Sequence, residues 1–223
     1  GGVSYTNNRN VTITLSATDA TSGVSQMMVS ESPTFDGAWW LDYATSRAFV
    51  YWINPANCSI PLEGGWNLFS TPCYMQDRTN VQMLDDIAGL YESVHAYVAS
   101  DSLDPWKAYN PSLPNWVVQD LSTIDETRGY WINMRLATDL DIIGQKLAVY
   151  SIAMERGWNS VGYPTFTSRA INQSLSDLYP YWTVVEYFNA TDDAYRIYYN
   201  STQSGTFQKT IPYFGYWIYM TQS

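Results

Sequence analysis

The phrase RGYWINM at residues 128–134 returns as FGYWIYM at residues 214–220. A single domain seldom needs so unusual a strand twice, whereas an internal repeat writes it twice by construction. A second pair stands ahead of it. SIPLEGGWNLFSTP at 59–72 aligns with SIAMERGWNSVGYP at 151–164, an offset of 92 at the Gly-Trp-Asn triplet. Between the two pairs, VHAY at 94–97 answers VVEY at 184–187, an offset of 90, and the Gly-Tyr-Trp phrases are 86 apart. The offset shrinks across loops, where deletions are tolerated.

Each copy spells the same order of elements. Gly-Trp-Asn opens a short strand that Pro72 or Pro164 ends. A short helix follows: Val81, Leu84, Ala88 and Tyr91 fall at helical spacing, with Thr79 and Gln82 placed as a capping box. Ile171, Leu175 and Leu178 form the corresponding stripe of the second copy. Two strands joined by a polar loop come next, ESVHAYVAS to WKAYNP and TVVEYFNA to YRIYYN. In the closing strand Tyr130, Ile132 and Met134 share one face, as do Tyr216, Ile218 and Met220. Trp66, Trp158, Trp131 and Trp217 are expected to be core anchors.

Ahead of the repeats, VTITLSAT at 11–18 alternates strictly, with Val11, Ile13, Leu15 and Ala17 on one face. GVSQMMVSES, WWLDY and RAFVYWIN read as further strands. RAFVYWIN, 47–54, also aligns with 139–146 at the offset of 92, so it fits either the N-terminal segment or the first module. The expected fold is therefore mainly β. A truncated immunoglobulin-like β-sandwich over 1–54 precedes two small β-rich modules, 55–137 and 138–223, each with one short helix.

GWNSVGYP with GYWIYM, and GWNLFSTP with DPWKAYNP and DLSTIDETRGYWINM, resemble the tandem Gly-Trp-Asn/Gly-Tyr-Trp-Ile modules of large secreted and cell-surface (S-layer-like) proteins of archaea and bacteria. SYTNNRNVTITLSATDATSGVSQMMVSES is similar to immunoglobulin-like repeats of the same kind of proteins. The resemblance implies an extracellular scaffold, surface-layer or adhesive role and supplies no catalytic residues.

Composition agrees with that setting. Eleven Lys and Arg against 21 acidic residues give a net charge of −10, which repels a phosphate backbone and sets nucleic acid aside as a partner. No run of 18 apolar residues is present to span a bilayer, and no basic-apolar signal segment opens the chain. Cys58 and Cys73 flank a stretch whose Gly64-Gly65 turn is expected to fold 59–62 back on 66–72 as a hairpin. That geometry brings the sulfurs together as a disulfide, the alternative being two unrelated buried thiols. Asn10, Asn57, Asn172, Asn189 and Asn200 head N-x-S/T sequons, five among 14 asparagines, and several of them are expected to carry N-linked glycan.

Catalytic signals are sparse. His95 is the only histidine and sits in a strand with no motif around it, which reads as a structural or surface residue. One His and two Cys do not make a zinc site, no cofactor motif is present, and no cofactor is expected. Glycosidase chemistry needs only two carboxylates, so composition leaves it open. The acidic loops SDSLDP, TDLD and NATDDAY match no EF-hand and read as solvated turns rather than calcium loops.

Trp39-Trp40, Trp106, Trp116, Trp182, YPYW and YRIYY offer either sugar-stacking platforms or a subunit interface. The expectation is a non-enzymatic extracellular structural subunit of a surface layer or filament. It would self-associate through β-strand contacts, with residues 1–50 as the joint. The alternative is a glycan-binding adhesion module. Aromatics lining an open groove favour the second; aromatics against another copy favour the first.

Overall fold

The structure is a computed structural model that describes residues 55–114, 116–146 and 150–223 and, ahead of them, the backbone of four strands. These are β1 (Asn10–Thr14), β2 (Gln26–Met27), β3 (Leu41–Asp42) and β4 (Ser46–Val50). Residues Gly1–Ile53 form one unit and Asn54–Ser223 another. In the first unit β1 pairs antiparallel with β4, Thr12 facing Ala48, and β2 pairs with β3. Residues 47–50 of the segment that fitted two places in the sequence are thus part of β4 in the N-terminal unit. Residues 15–18, with Leu15 and Ala17, and Trp39-Trp40 lie outside the described residues.

The second unit begins with β5 (Pro55–Leu62) and β6 (Gly65–Phe69). A single α-turn, α1 (Asn80–Met83), runs into a 3-10 turn at Asp85–Ile87. Then come β7 (Tyr91–Tyr97), β8 (Trp106–Tyr109), β9 (Tyr130–Met134) and β10 (Thr138–Gln145). The chain continues with β11 (Gly157–Val161), β12 (Arg169–Ala170), α2 (Ile171–Ser174), β13 (Trp182–Asn189), β14 (Ala194–Tyr199), β15 (Ser204–Gly205), β16 (Lys209–Thr210) and β17 (Tyr216–Met220). The fold is mainly β, built of antiparallel sheets with two short helices.

Two sheets dominate, in the orders β6-β9-β7-β8 and β11-β17-β13-β14-β15. Their registers correspond. Val94 faces Ile132 as Val185 faces Ile218, and the same bulge interrupts Tyr91/Ser93 and Trp182/Val184. The offset in this strand is thus 91, one more than the sequence match placed it. Inward residues alternate along each strand, as the pleat requires. Tyr130, Ile132 and Met134 are buried, and so are Tyr216, Ile218 and Met220.

The Gly-Trp-Asn triplet is a turn lock. Gly65 and Gly157 hold φ of +92° and +99°, the left-handed region that favours glycine. Asn67 accepts the Glu63 N–H at 2.8 Å and donates to the carbonyls of Glu63 and Gly65 at 2.8 and 3.1 Å. Asn159 does the same with Glu155 and Gly157, at 2.8, 2.7 and 3.0 Å.

The turn does not make a hairpin. β5 leaves the sheet of β6 and pairs instead with β10, Leu62 facing Thr138 and Pro55 facing Gln145. This ribbon lies over the inner face of the first sheet, where Ile60, Leu62, Leu140 and Ile142 join the core of Val94, Tyr130 and Ile132. Residues 138–145, read from sequence as the start of the second module, complete the first. The Cys58–Cys73 disulfide, with Cα atoms 6.1 Å apart, ties the ribbon to the chain leaving β6 rather than stapling a hairpin.

The helices are shorter than their apolar spacing implied. Thr79 Oγ1 caps α1 by accepting the Gln82 N–H at 3.4 Å, while Asp77 takes the Thr79 N–H at 3.0 Å. Met83, Leu84 and Ile87 point inward, Val81 is exposed, and Tyr91 already belongs to β7. Strand pairing overrode the helical period after one turn.

Candidate functional site

The four motif tryptophans are not core anchors. Alternation along β9 and β17 gives the inward position to Tyr130 and Tyr216, so Trp131 and Trp217 emerge on the opposite face. Trp66 and Trp158, on β6 and β11, are 44% and 37% exposed. The tyrosines are the anchors: Tyr130 OH accepts the Asp125 N–H at 2.8 Å, and Tyr216 OH accepts that of Ile211 at 2.7 Å.

The outer faces of the two sheets meet through the ends of their strands. Ser70 N–H donates to the Tyr213 carbonyl at 2.8 Å, and its counterpart Gly162 donates to Thr127 at 2.9 Å. This reciprocal seam sets aromatic rings of each half against the other. Tyr97 lies 5.1 Å from Trp217, and Phe188 lies 5.1 Å from Trp131. Trp106 reaches Trp217 at 5.9 Å, as Tyr195 reaches Trp131 at 6.3 Å. Within each half, Trp66 meets Trp131 edge-on at 6.2 Å, and Trp158 meets Trp217 at 6.3 Å. Tilted and edge contacts are the preferred geometry for such rings, and they hold each plane in place.

The result is an aromatic face with two concavities. One, of about 340 Å³, is lined by Trp66, His95, Trp106, Trp131, Tyr195 and Trp217. The other, of about 270 Å³, is lined by Tyr97, Trp158, Glu186, Tyr195 and Trp217. His95 and Glu186 stand at corresponding positions, opposite Trp131 and Trp217. His95 Nε2 is 3.0 Å from Ser93 Oγ, and burial lowers its pKa below the ordinary value, so the imidazole is neutral at pH 7. Burial raises the pKa of Glu186. Burial first, then the charge of Glu186, pushes the Tyr195 hydroxyl up.

Of the aromatic residues singled out in the sequence, Trp106 and Tyr195, the first residue of YRIYY, belong to this face. Trp182 is a buried core residue stacked on Tyr198, and Trp116 is exposed on a loop. Trp131, Trp217 and Tyr97 escaped the reading as ligand-facing residues. Their signal was the Tyr-Trp order in each closing strand, which places one ring inside and the next outside.

The remaining sequence-selected residues are spread over the surface. Asn10 opens β1, and its side chain lies outside the described residues. Asn57 and Asn172 are exposed, on β5 and α2. Asn189 ends β13 and accepts the Thr191 N–H at 3.2 Å. Asn200 is engaged on both sides, its Nδ2 donating to the Trp182 carbonyl at 2.8 Å and its Oδ1 accepting from Gln203 Nε2 at 2.7 Å.

Of the acidic segments, TDLD is the start of β10 rather than a turn, and the other two hold protein cations. Lys107 reaches Asp101, Asp104 and Asp120 at 2.8, 3.2 and 3.8 Å, and Asp192 pairs with Arg196. Among the described residues, no group of three His, Cys, Asp or Glu is placed to hold a metal ion, and no helix is long and apolar enough to cross a membrane. Comparison with family models, with curated proteins and with solved structures gives no match to the chain.

Proposed function

We propose that the second unit is a glycan-binding module of a secreted or cell-surface protein, and that the aromatic face is its binding surface. The observation that carries this reading is the pair of open concavities floored by Trp131 and Trp217, with Trp66, Trp106, Trp158 and Tyr195 along their sides. A sugar ring offers an apolar face of C–H bonds and an equator of hydroxyls. Exposed indoles meet the first, while indole N–H, the neutral His95, Glu186 and the Tyr195 hydroxyl meet the second. Large exposed aromatic patches mark partners in general; polar groups among the rings favour a saccharide over a wholly apolar partner.

The module binds without turning its ligand over. Glu186 is the sole carboxylate among the described residues lining the concavities, whereas hydrolysis of a glycosidic bond works with two. A disulfide suits an oxidising compartment, and five sequons fit the same surface. The likeness to tandem surface-layer modules supports placing the chain in a larger cell-surface assembly.

A panel of soluble oligosaccharides screened by quenching of tryptophan fluorescence tests the reading. Binding by at least one of them, lost by about tenfold or more in Trp131→Ala or Trp217→Ala with the fold intact, is expected for an anchoring ring. A panel that leaves the fluorescence unchanged throughout, or binding indifferent to both substitutions, rejects it.

A further inference from the structure

Several sheltered carboxylates of the second unit have a cation beside them. Glu126, buried, lies 3.5 Å from an Arg78 nitrogen, and Asp125, half-buried, lies 2.6 Å from Arg128. Lys107 gathers three acids of its neighbourhood. Glu186 is also half-buried, yet its carboxylate makes no ion pair or hydrogen bond with another described residue. Burial alone raises its pKa, with no protein cation to oppose the shift.

What surrounds it is aromatic. Glu186 lines the smaller concavity together with Tyr97, Trp158, Tyr195 and Trp217. Trp158 and Trp217 are nearly perpendicular, at 87° with centroids 6.3 Å apart, and Tyr97 is tilted by 59° against Trp217 at 5.1 Å. Rings set in such different planes wall a small volume from more than one side. An ammonium over an indole or phenol face is drawn by the ring quadrupole, and a carboxylate adds a charge-assisted hydrogen bond. Among the described residues, no Lys or Arg lines either concavity. The larger concavity holds the neutral His95 where the smaller holds Glu186, so a preference for positive charge belongs to one of the two.

We propose that the concavity beside Glu186 selects a sugar residue carrying a free amine, whose ammonium seats against the Glu186 carboxylate among the rings, a specificity that rests on the reading of the aromatic face as a glycan site.

A pyranose with an amine in place of one hydroxyl keeps the C–H face that stacks on indole. It also brings the positive charge that Glu186 lacks. A neutral sugar would strip water from the carboxylate without supplying a counter-charge, which costs binding energy. An acidic sugar would be repelled. The concavity is open, so the other N–H groups of the ammonium stay in water and one protein acceptor suffices. A metal ion is a poorer occupant, because one carboxylate falls far short of the oxygen ligands that calcium takes.

The net charge of −10 draws cations to the whole surface at low salt, and only a contrast centred on Glu186 separates its effect from that pull. A glucosamine tetramer and its fully N-acetylated form share ring and linkage and differ in charge. Each is titrated into the protein by calorimetry at about pH 6, below the range of amines and above the ordinary range of carboxylates. The amine form is expected to bind about tenfold more tightly or better. Glu186→Gln should bring the two tetramers to equal affinity. It should fold as stably as the parent, since it removes a half-buried charge that no protein cation balances. Asp177→Asn removes the same charge from an exposed residue outside both concavities and should keep the preference. Equal binding of the two tetramers by the unchanged protein, or a preference that outlasts Glu186→Gln, overturns the inference and leaves the glycan reading standing. Binding of neither tetramer overturns it as well, and the glycan reading then falls only if the wider oligosaccharide panel is also silent.

Discussion

Gly129 and Gly215 touch each other across the seam of the two halves: a Cβ built on Gly215 would lie 2.8 Å from the Gly129 Cα, and one on Gly129 would lie 3.1 Å from the Gly215 Cα. This contact explains why the chain writes Gly-Tyr-Trp twice. Each glycine lets the other half's backbone approach, each tyrosine plugs its own core, and each tryptophan faces out.

Gly129→Ala and Gly215→Ala should each destabilise the protein by about 1–3 kcal/mol, the usual cost of overpacking. Gly64→Ala is the control, because a Cβ there meets nothing closer than 3.8 Å and its change should stay within about 0.5 kcal/mol. Urea unfolding of the three variants measures the contrast. Equal midpoints for all three would show that the seam is loose.

Asn67→Ala and Asn159→Ala each remove three hydrogen bonds that fasten the turn before β6 or β11. A loss of about 1–3 kcal/mol is expected for each, because the partner groups are left partly buried and unpaired. Chemical denaturation reads the loss. Asp at either position would keep the acceptor but not the donor, and should fall between.

Reduction of the Cys58–Cys73 disulfide, which closes a separation of 15 residues, should lower stability by about 3 kcal/mol in the chain-entropy model. The effect should concentrate on the β5–β10 ribbon, so hydrogen exchange of Ile60 and Ile142 should accelerate more than that of Ile218. Uniform acceleration across both halves would contradict the tie described here.

The His95 pKa is lowered by burial from an ordinary value of 6.5. The unfolded chain therefore binds its proton at a higher pH than the folded one. Stability contributed by the neutral imidazole is present above about pH 6.5 and is lost as the pH falls through that value toward the folded pKa. Histidine resonances followed by NMR should titrate below 6.5, and His95→Gln should flatten this part of the stability profile. Titration at or above 6.5 would place the ring in water.

Among the sequons with described side chains, glycan is expected on Asn57 and Asn172, which are exposed. None is expected on Asn200, whose amide nitrogen is spent on the Trp182 carbonyl. Peptide mapping of material from the native source decides. Full occupancy at Asn200 would mean that this bond forms differently there.

Much of the architecture was legible because it is local. The inward faces of β9 and β17 and the Thr79 cap follow from alternation and spacing, whereas the Cys58–Cys73 pairing holds although the hairpin it was argued from does not form. What escaped was long-range. Nothing near Gly64 announces that β5 will leave β6 and pair with a strand some 80 residues away, because a tight turn reads the same whether or not its arms stay in one sheet. The aromatic face was hidden for a related reason. Tryptophan is apolar enough to count as core in any scale, and it is the burial of Tyr130 and Tyr216 that turns the next ring of each strand outward.

Every Trp and Tyr lining the two concavities has an aromatic counterpart in the other half, Tyr97 answering Phe188 and Trp106 answering Tyr195. The polar pair breaks this correspondence. A neutral imidazole at His95 answers a carboxyl at Glu186. The stacking floor is thus blind to orientation while its chemistry is not, and a chain molecule laid across the seam would be read with a head and a tail.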